Sequence, residues 1–242
     1  MTHATGCLIC GDPIRYTELE KLLTCNFCGN SFHSNASCVH GHFICDDCHA
    51  IDAVDVIFHI CLEHTGSDPV ALADRILQHP SVKMHGPEHH FLVPAVLISC
   101  YYSLQGNPEQ KRTKLESARK RSSHVLGGFC GSHGTCGAAI GTGIFLSLIL
   151  DSTPLKTQEW RLSNLMTARA LTEIAHLGGP RCCKRDTWIA IRHAAQFLQS
   201  EWNVTMETSR PSCGFSERNH ECLEEGCLFF RTKDEGRKTK DK

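Results

Sequence analysis

Sixteen cysteines and sixteen histidines are spread over 242 residues, and seven of those cysteines fall before residue 49. Their spacing is Cys7-x2-Cys10-x14-Cys25-x2-Cys28-x4-His33-x4-Cys38-x6-Cys45-x2-Cys48. A C-x-x-C turn holds two thiolates close enough to share one metal and aims backbone amides at the sulfurs. Two such turns close a tetrahedral zinc site. Three turns, with His33, Cys38, His40 and His42 as further donors, supply enough ligands for one or two zinc ions. Spacing leaves open whether the pairs bind in sequence or in a crossed order. The stretch has few large apolar residues, so the metal is expected to act as its core. Only Arg15 and Lys21 are basic in residues 1–64, against eight acidic residues. Docking to a protein is therefore expected, rather than reading a nucleic-acid groove.

Beyond residue 64 the chemistry gathers in four segments: Met84–His90, Gly127–Ala139, Gly178–Asp186 and Cys213-x8-Cys222-x4-Cys227. The first three set metal-capable groups beside glycines at expected helix starts, where free amides suit an anion or a thiolate-bound cluster. Cys130, Cys136, Cys182 and Cys183 are the cofactor-binding candidates. Adjacent residues on a helix point about 100° apart, so one of Cys182 and Cys183 is expected to face the site and the other to pack. His85, His89, His90 and His133 are candidate bases near neutral pH. Lys184 and Arg185, with Arg181, are suited to a carboxylate or phosphate. Plainer roles stand beside these. The glycines could serve only close packing, and the histidines could line a polar groove. Cys61 and Cys100 sit in apolar company and read as core. The trio at 213, 222 and 227 reads either as a separate metal site or as a loop closing over the central one.

The elements that must position these groups are mostly helices. Asp68-Pro69 is a cap followed by proline in the first turn, and Val70, Ala73, Ile76 and Leu77 give one apolar face. Pro87 opens a helix to about Leu104, with a kink or break expected at Pro94. Gln110–Ser122 is a charged helix whose basic residues read as a solvated face, or as an RNA contact in a sharper reading. Cys136–Leu150 is apolar all round, as for the central helix of a bundle. Lys156–Leu177 and Cys183–Trp202 are amphipathic. The predicted fold is mainly α, a helical domain at 65–230 behind a zinc-binding module of treble-clef or RING-like type at 1–64. A basic tail at 231–242 has no apolar residue and is expected to be disordered.

The chain resembles an uncharacterised cysteine-rich domain family of methanogens and anaerobic bacteria. The likeness rests on Cys-x6-Cys-Asp-Asp-Cys-His, Met84–His90, Phe129–Thr142 and Arg181–Arg185. A more distant likeness is to the α domain of iron–sulfur L-serine dehydratases. Thr135–Gly141 is similar to their Gly-Cys-Gln-Ala-Glu stretch, and Arg181–Asp186 to their Pro-Cys-Ile-Lys-Arg-Asn segment. That resemblance implies a [4Fe-4S] cluster held by three cysteines with one iron open, carried over to Cys136 and to Cys182 or Cys183. The family's middle cysteine has no counterpart here, so Cys130 or a C-terminal cysteine would take its place. The implied activity is lyase-like elimination or sulfur transfer on a small molecule. A non-catalytic zinc-binding adaptor or maturation factor, and an RNA-modification factor, are the alternatives.

Composition sets the remaining limits. Formal net charge is −1 and the apolar fraction 41 %, which excludes wholesale disorder and carries no signature of a nucleic-acid binder. No signal peptide is visible at Met1–Gly6, and Ala138–Leu150 is too short for a bilayer span of ~20 residues. Clustered C-x-x-C pairs suit metal binding in a reducing cytoplasm better than disulfides. The expected partners are a small-molecule substrate or a protein, with no membrane.

Overall fold

A computed structural model describes residues 7, 9, 10, 12–45, 48 and 52–230. The basic tail and the first six residues lie outside the described residues. Strands β1 (Ile14–Thr24) and β2 (Ser31–Cys38) form an antiparallel hairpin with Ile14 opposite Cys38 and Thr24 opposite Ser31. The register slips between Tyr16 and Lys21, where β1 carries extra residues. Such a bulge bends and twists a ribbon. β1 leads from the Cys7/Cys10 pair to the Cys25/Cys28 pair, and β2 leads back to Cys38.

The rest is helical: α1 (Ala53–Glu63), α2 (Pro69–Leu77), α3 (Glu88–Leu104), α4 (Pro108–Ser122), the one-turn α5 (Phe129–Ser132), α6 (Gly137–Ile149), α7 (Thr157–Leu177) and α8 (Cys183–Trp202). Asp52 and Asp68 cap α1 and α2 by accepting from backbone amides of Val54, and of Val70 and Ala71. Helix α1 belongs to the helical core rather than to the cysteine module: Val56, Ile57, Ile60 and Cys61 are buried with α3. Helix α3 shares the centre of the bundle with α6, which is buried along most of its length against α3, α4, α7 and α8. Nearly every residue from Phe91 to Cys100 is buried, and α1, α2, α4, α6 and α8 pack round α3. It runs through Pro94 without interruption. Helix α6 lies between α3 and α7, and its glycines explain how closely. A Cβ on Gly137 would overlap the His90 ring, one on Gly141 would press on Val93 and Pro94, and one on Gly143 would meet Thr167 of α7. The glycines inside α6 are thus packing positions. Cys61 and Cys100 are fully buried core residues.

The basic run of α4 is partly a solvated face, with Arg112 and Lys120 exposed, and partly a set of tethers. Lys111 is buried and donates to the carbonyls of Leu62 and His64 at the end of α1. Lys114 donates to Leu148 O and pairs with Asp151 at 2.6 Å, Arg119 pairs with Asp55 at 2.7 Å, and Arg121 donates to Ser147 Oγ. These cations tie α4 to α1 and α6. Among the described residues no helix is long and apolar enough to cross a membrane.

Candidate metal centres and a thiol-lined pocket

Eight side chains of the module close into two groups. Cys7, Cys10, Cys38 and His42 bring their ligand atoms within 4.8 Å of one another, and so do Cys25, Cys28, Cys45 and Cys48. The first pair of the chain joins the third, and the second joins the fourth, so the order is crossed. Cys10 Sγ lies 3.5 Å from Cys38 Sγ, Cys7 Sγ 3.7 Å from His42 Nδ1, and Cys28 Sγ 3.9 Å from Cys45 Sγ. Tetrahedral zinc with Zn–S near ~2.3 Å sets sulfurs about 3.8 Å apart, so the donor sets fit a single ion each. The amides of Ile9 and His40 donate to Cys7 and Cys38 at 3.4 Å. Burial opposes ionisation of Cys25, yet the amides of Cys28, Cys45 and Phe27 draw its pKa down to about 7. Burial and the neighbouring thiolates push Cys48 up. Such mutual repulsion is what a bound dication relieves. His33 lies outside both groups. Opposite Leu22 in β2, it points to solvent, while the turn after β2 returns His42 to Cys38.

The module's own core is small: Cys25, Phe27 and Cys45, with Ile9, Phe32 and Phe43 around them. It seats on the helical domain through Phe27, whose ring centroid is 4.0 Å from that of His79 and whose carbonyl accepts from Arg75.

In the helical domain, α6 and α8 begin side by side. Cys136 is the N-cap of α6 and Cys182 that of α8. Between their starts and the turns at 128–134 and 178–181 lies a cavity of about 500 Å³. Cys130, Cys136, Arg181, Arg185 and Asp186 line it, with a rim of glycines. Cys136 Sγ is 3.9 Å from Asp186 Oδ2. Burial first, and then Asp186, push the Cys136 pKa up to about 12. Without a metal that thiol stays protonated and is a poor nucleophile. Cys183 opens α8 half-buried, and burial raises its thiol pKa. Cys182 lines a separate void with Cys213. Of the two adjacent cysteines, Cys182 thus faces the C-terminal segment and Cys183 lines neither cavity.

The other candidates divide by what they touch. Arg185 is buried; Nε pairs with Asp186 at 3.0 Å and Nη2 donates to Gly178 O and Pro180 O. It fixes the turn that forms the cavity wall, and Arg181 is left as the exposed guanidinium on the cavity. Lys184 is buried and donates to Leu77 O and Val82 O, away from the cavity. His89 is buried with Nδ1 on Gly86 O, and burial together with Lys184 lowers its pKa to about 3. His90 Nδ1 pairs with Val125 O, and its ring rests on Gly137. His85 pairs with Asn219 and Glu221. His133 is exposed beside Ser132 and Phe129 on the loop that borders the cavity. None of the four histidines lines the cavity itself. Asp186 is the group that sequence reading passed over. It lies in the quoted Arg181–Asp186 segment, one turn after Cys182, and that proximity was the available signal.

A family model matches residues 57–230, from the middle of α1 to the end of the described chain. The chain belongs to DUF5714, a family of unknown function. The DUF5714 match takes in the whole cavity and the C-terminal cysteines, and the paired cysteine groups lie before it. No curated protein and no solved structure is similar to the chain.

Proposed function

We propose that this member of DUF5714 is a cytoplasmic metalloprotein with a RING-like structural zinc module and a helical domain that transforms a small anionic molecule. The observation that carries the reading is the convergence of Cys130 and Cys136 with Asp186 and Arg181 at one 500 Å³ cavity. Cys130 and Cys136, with Cys183 at the start of α8 as a third thiol, would hold an iron–sulfur cluster with one iron left unligated. When bound, such a cluster supplies a Lewis acid for elimination of a hydroxyl or thiol group. The chain's own part is to bind and orient. Arg181 and the free amides at the starts of α6 and α8 attract a carboxylate or phosphate. Asp186, held by Arg185, fixes the cavity wall beside Cys136. The zinc module's part is architectural, since its thiols form most of its own core.

Anaerobic purification and reconstitution with iron and sulfide tests this. The wild-type protein is expected to show an iron-centred EPR signal that shifts on adding a small hydroxy acid, with the shift lost in Arg181→Ala. A protein that takes up zinc alone, or a signal indifferent to every small anion, refutes the catalytic reading. A second reading, a non-catalytic adaptor, draws on the hairpin, where Tyr16, Leu19 and Leu22 are exposed apolar side chains. It predicts that Leu19→Ser/Leu22→Ser leaves metal content intact and abolishes co-purification of one defined protein.

A further inference from the structure

The C-terminal segment after α8 folds back over the start of that helix and brings a separate set of thiols together. Cys213, Cys222 and Cys227 line a small, mostly enclosed cavity with Cys182, Met84, Trp188 and Phe215. Its volume is about 20 Å³, room for one water-sized sphere. Four cysteines drawn from residues 182 to 227 thus face one void, and none of them lines the larger cavity. The turns at the sulfurs repeat those of the two module sites. The amide two residues on donates to Cys213 at 3.4 Å (from Phe215) and to Cys222 at 3.3 Å (from Glu224). These are the N–H···S contacts found at Cys7 and Cys38.

The spacing tells which kind of centre fits. The module tetrads have all ligand atoms within 4.8 Å of one another, and the four thiols here do not form such a group. A zinc cage with bonds near ~2.3 Å leaves no space for a water-sized sphere between its sulfurs. A cube of iron and sulfide holds its four cysteines further apart and needs that space. The surroundings suit its charge. Phe215, Trp188 and Phe229 form an apolar shell, with ring centroids 5.3 Å apart for Trp188 and Phe229. Lys184 Nζ and Arg218 Cζ sit over the Phe215 ring at 4.9 and 5.0 Å. Cations close to a thiolate cluster offset its net negative charge.

We propose that Cys182, Cys213, Cys222 and Cys227 hold a [4Fe-4S] cluster with all four irons ligated by the chain. Such a centre has no open iron, so its chemistry is electron transfer or structural support, not substrate activation. It stands independently of the reading of the larger cavity.

The test uses the full-length protein, reconstituted anaerobically with ferrous iron and sulfide. Cys130→Ala/Cys136→Ala/Cys183→Ala removes the thiols assigned to the larger cavity and is expected to keep ~4 irons and ~4 sulfides per chain. Adding Cys222→Ser/Cys227→Ser on that background is expected to remove them. Loss of all iron in the first variant, or its retention in the second, overturns the proposal. Alkylation mapped by mass spectrometry checks the wild-type protein without any substitution. Cys182, Cys213, Cys222 and Cys227 should be protected when iron is bound and labelled after its removal. Labelling of these four at the same rate with and without iron, or zinc in their place after reconstitution, also overturns it. If this cluster forms while the small-anion EPR shift fails, only the catalytic reading falls.

Discussion

Replacing Gly141 by alanine separates packing from helix propensity, because the two effects have opposite signs. Gly141 lies inside α6, where alanine is favoured over glycine by about 1 kcal/mol. Its new Cβ would meet Pro94 Cδ at 2.9 Å, Val93 Cβ at 3.0 Å and the His90 carbonyl at 3.2 Å. None of these atoms ends a flexible side chain: one is in a ring, one is a branch point and one is backbone. Relief requires α6 to move from α3, and overpacking of this kind costs about 1–3 kcal/mol. The net expectation is a loss of up to ~2 kcal/mol, or a fall of several degrees in melting temperature for a domain of this size. Gly143→Ala should cost less, since its nearest neighbour is the Thr167 hydroxyl, which can rotate. Gly131→Ala meets nothing within 4 Å and serves as the control. Melts followed by circular dichroism on metal-loaded protein give the answer. A Gly141→Ala variant that melts higher than wild type would refute the account of how α6 is held against α3, and with it the placement of Cys136.

Three further outcomes follow from other parts of the molecule. Lys111→Met should destabilise the protein by about 1–3 kcal/mol in urea titrations, because it strands the carbonyls of Leu62 and His64; an unchanged midpoint would show that water replaces the ammonium. Cys38→Ala should lower zinc content by one ion per chain while His33→Ala leaves it unchanged, read by metal analysis after desalting; equal losses would contradict the ligand assignment. His89 is held neutral with a pKa of about 3 against about 6.5 unfolded, so the unfolded chain binds the extra proton and stability falls as pH drops from 6.5, by up to ~1.4 kcal/mol per unit. Urea midpoints at pH 7 and 5 should therefore differ less in His89→Gln than in wild type, and identical differences would rule the effect out.

Much of the helical frame was legible. Asp68-Pro69 marked the start of α2, and Cys183–Trp202 was read with both ends of α8 correct. These signals are local, a cap or an amphipathic period. What failed was what depends on partners far along the chain. Position 33 has the right residue and reach for a metal, but strand register sends its ring outward, and register is set by pairing with β1. The cations of α4 look solvated in sequence because their partners, Asp55, Leu148 and Asp151, lie 34 to 64 residues away. The all-apolar pattern of α6 marked a buried helix correctly, but which partners its glycines admit depended on α3 and α7 folding back against it. Cysteines 182 and 183 were readable as diverging; which neighbours each would meet depended on the return of the C-terminal segment.

The crossed order of the two module sites governs how that part of the chain can be made. Neither tetrad is complete until the chain has passed residue 42, and the second needs Cys48, whereas a sequential order would let one site close when residue 28 emerges. Both strands of the hairpin must therefore be present before either site can close. A lesion at Cys45 or Cys48 leaves Cys25 and Cys28 without partners, while Cys7, Cys10, Cys38 and His42 keep a complete set, so each ion is gained or lost on its own.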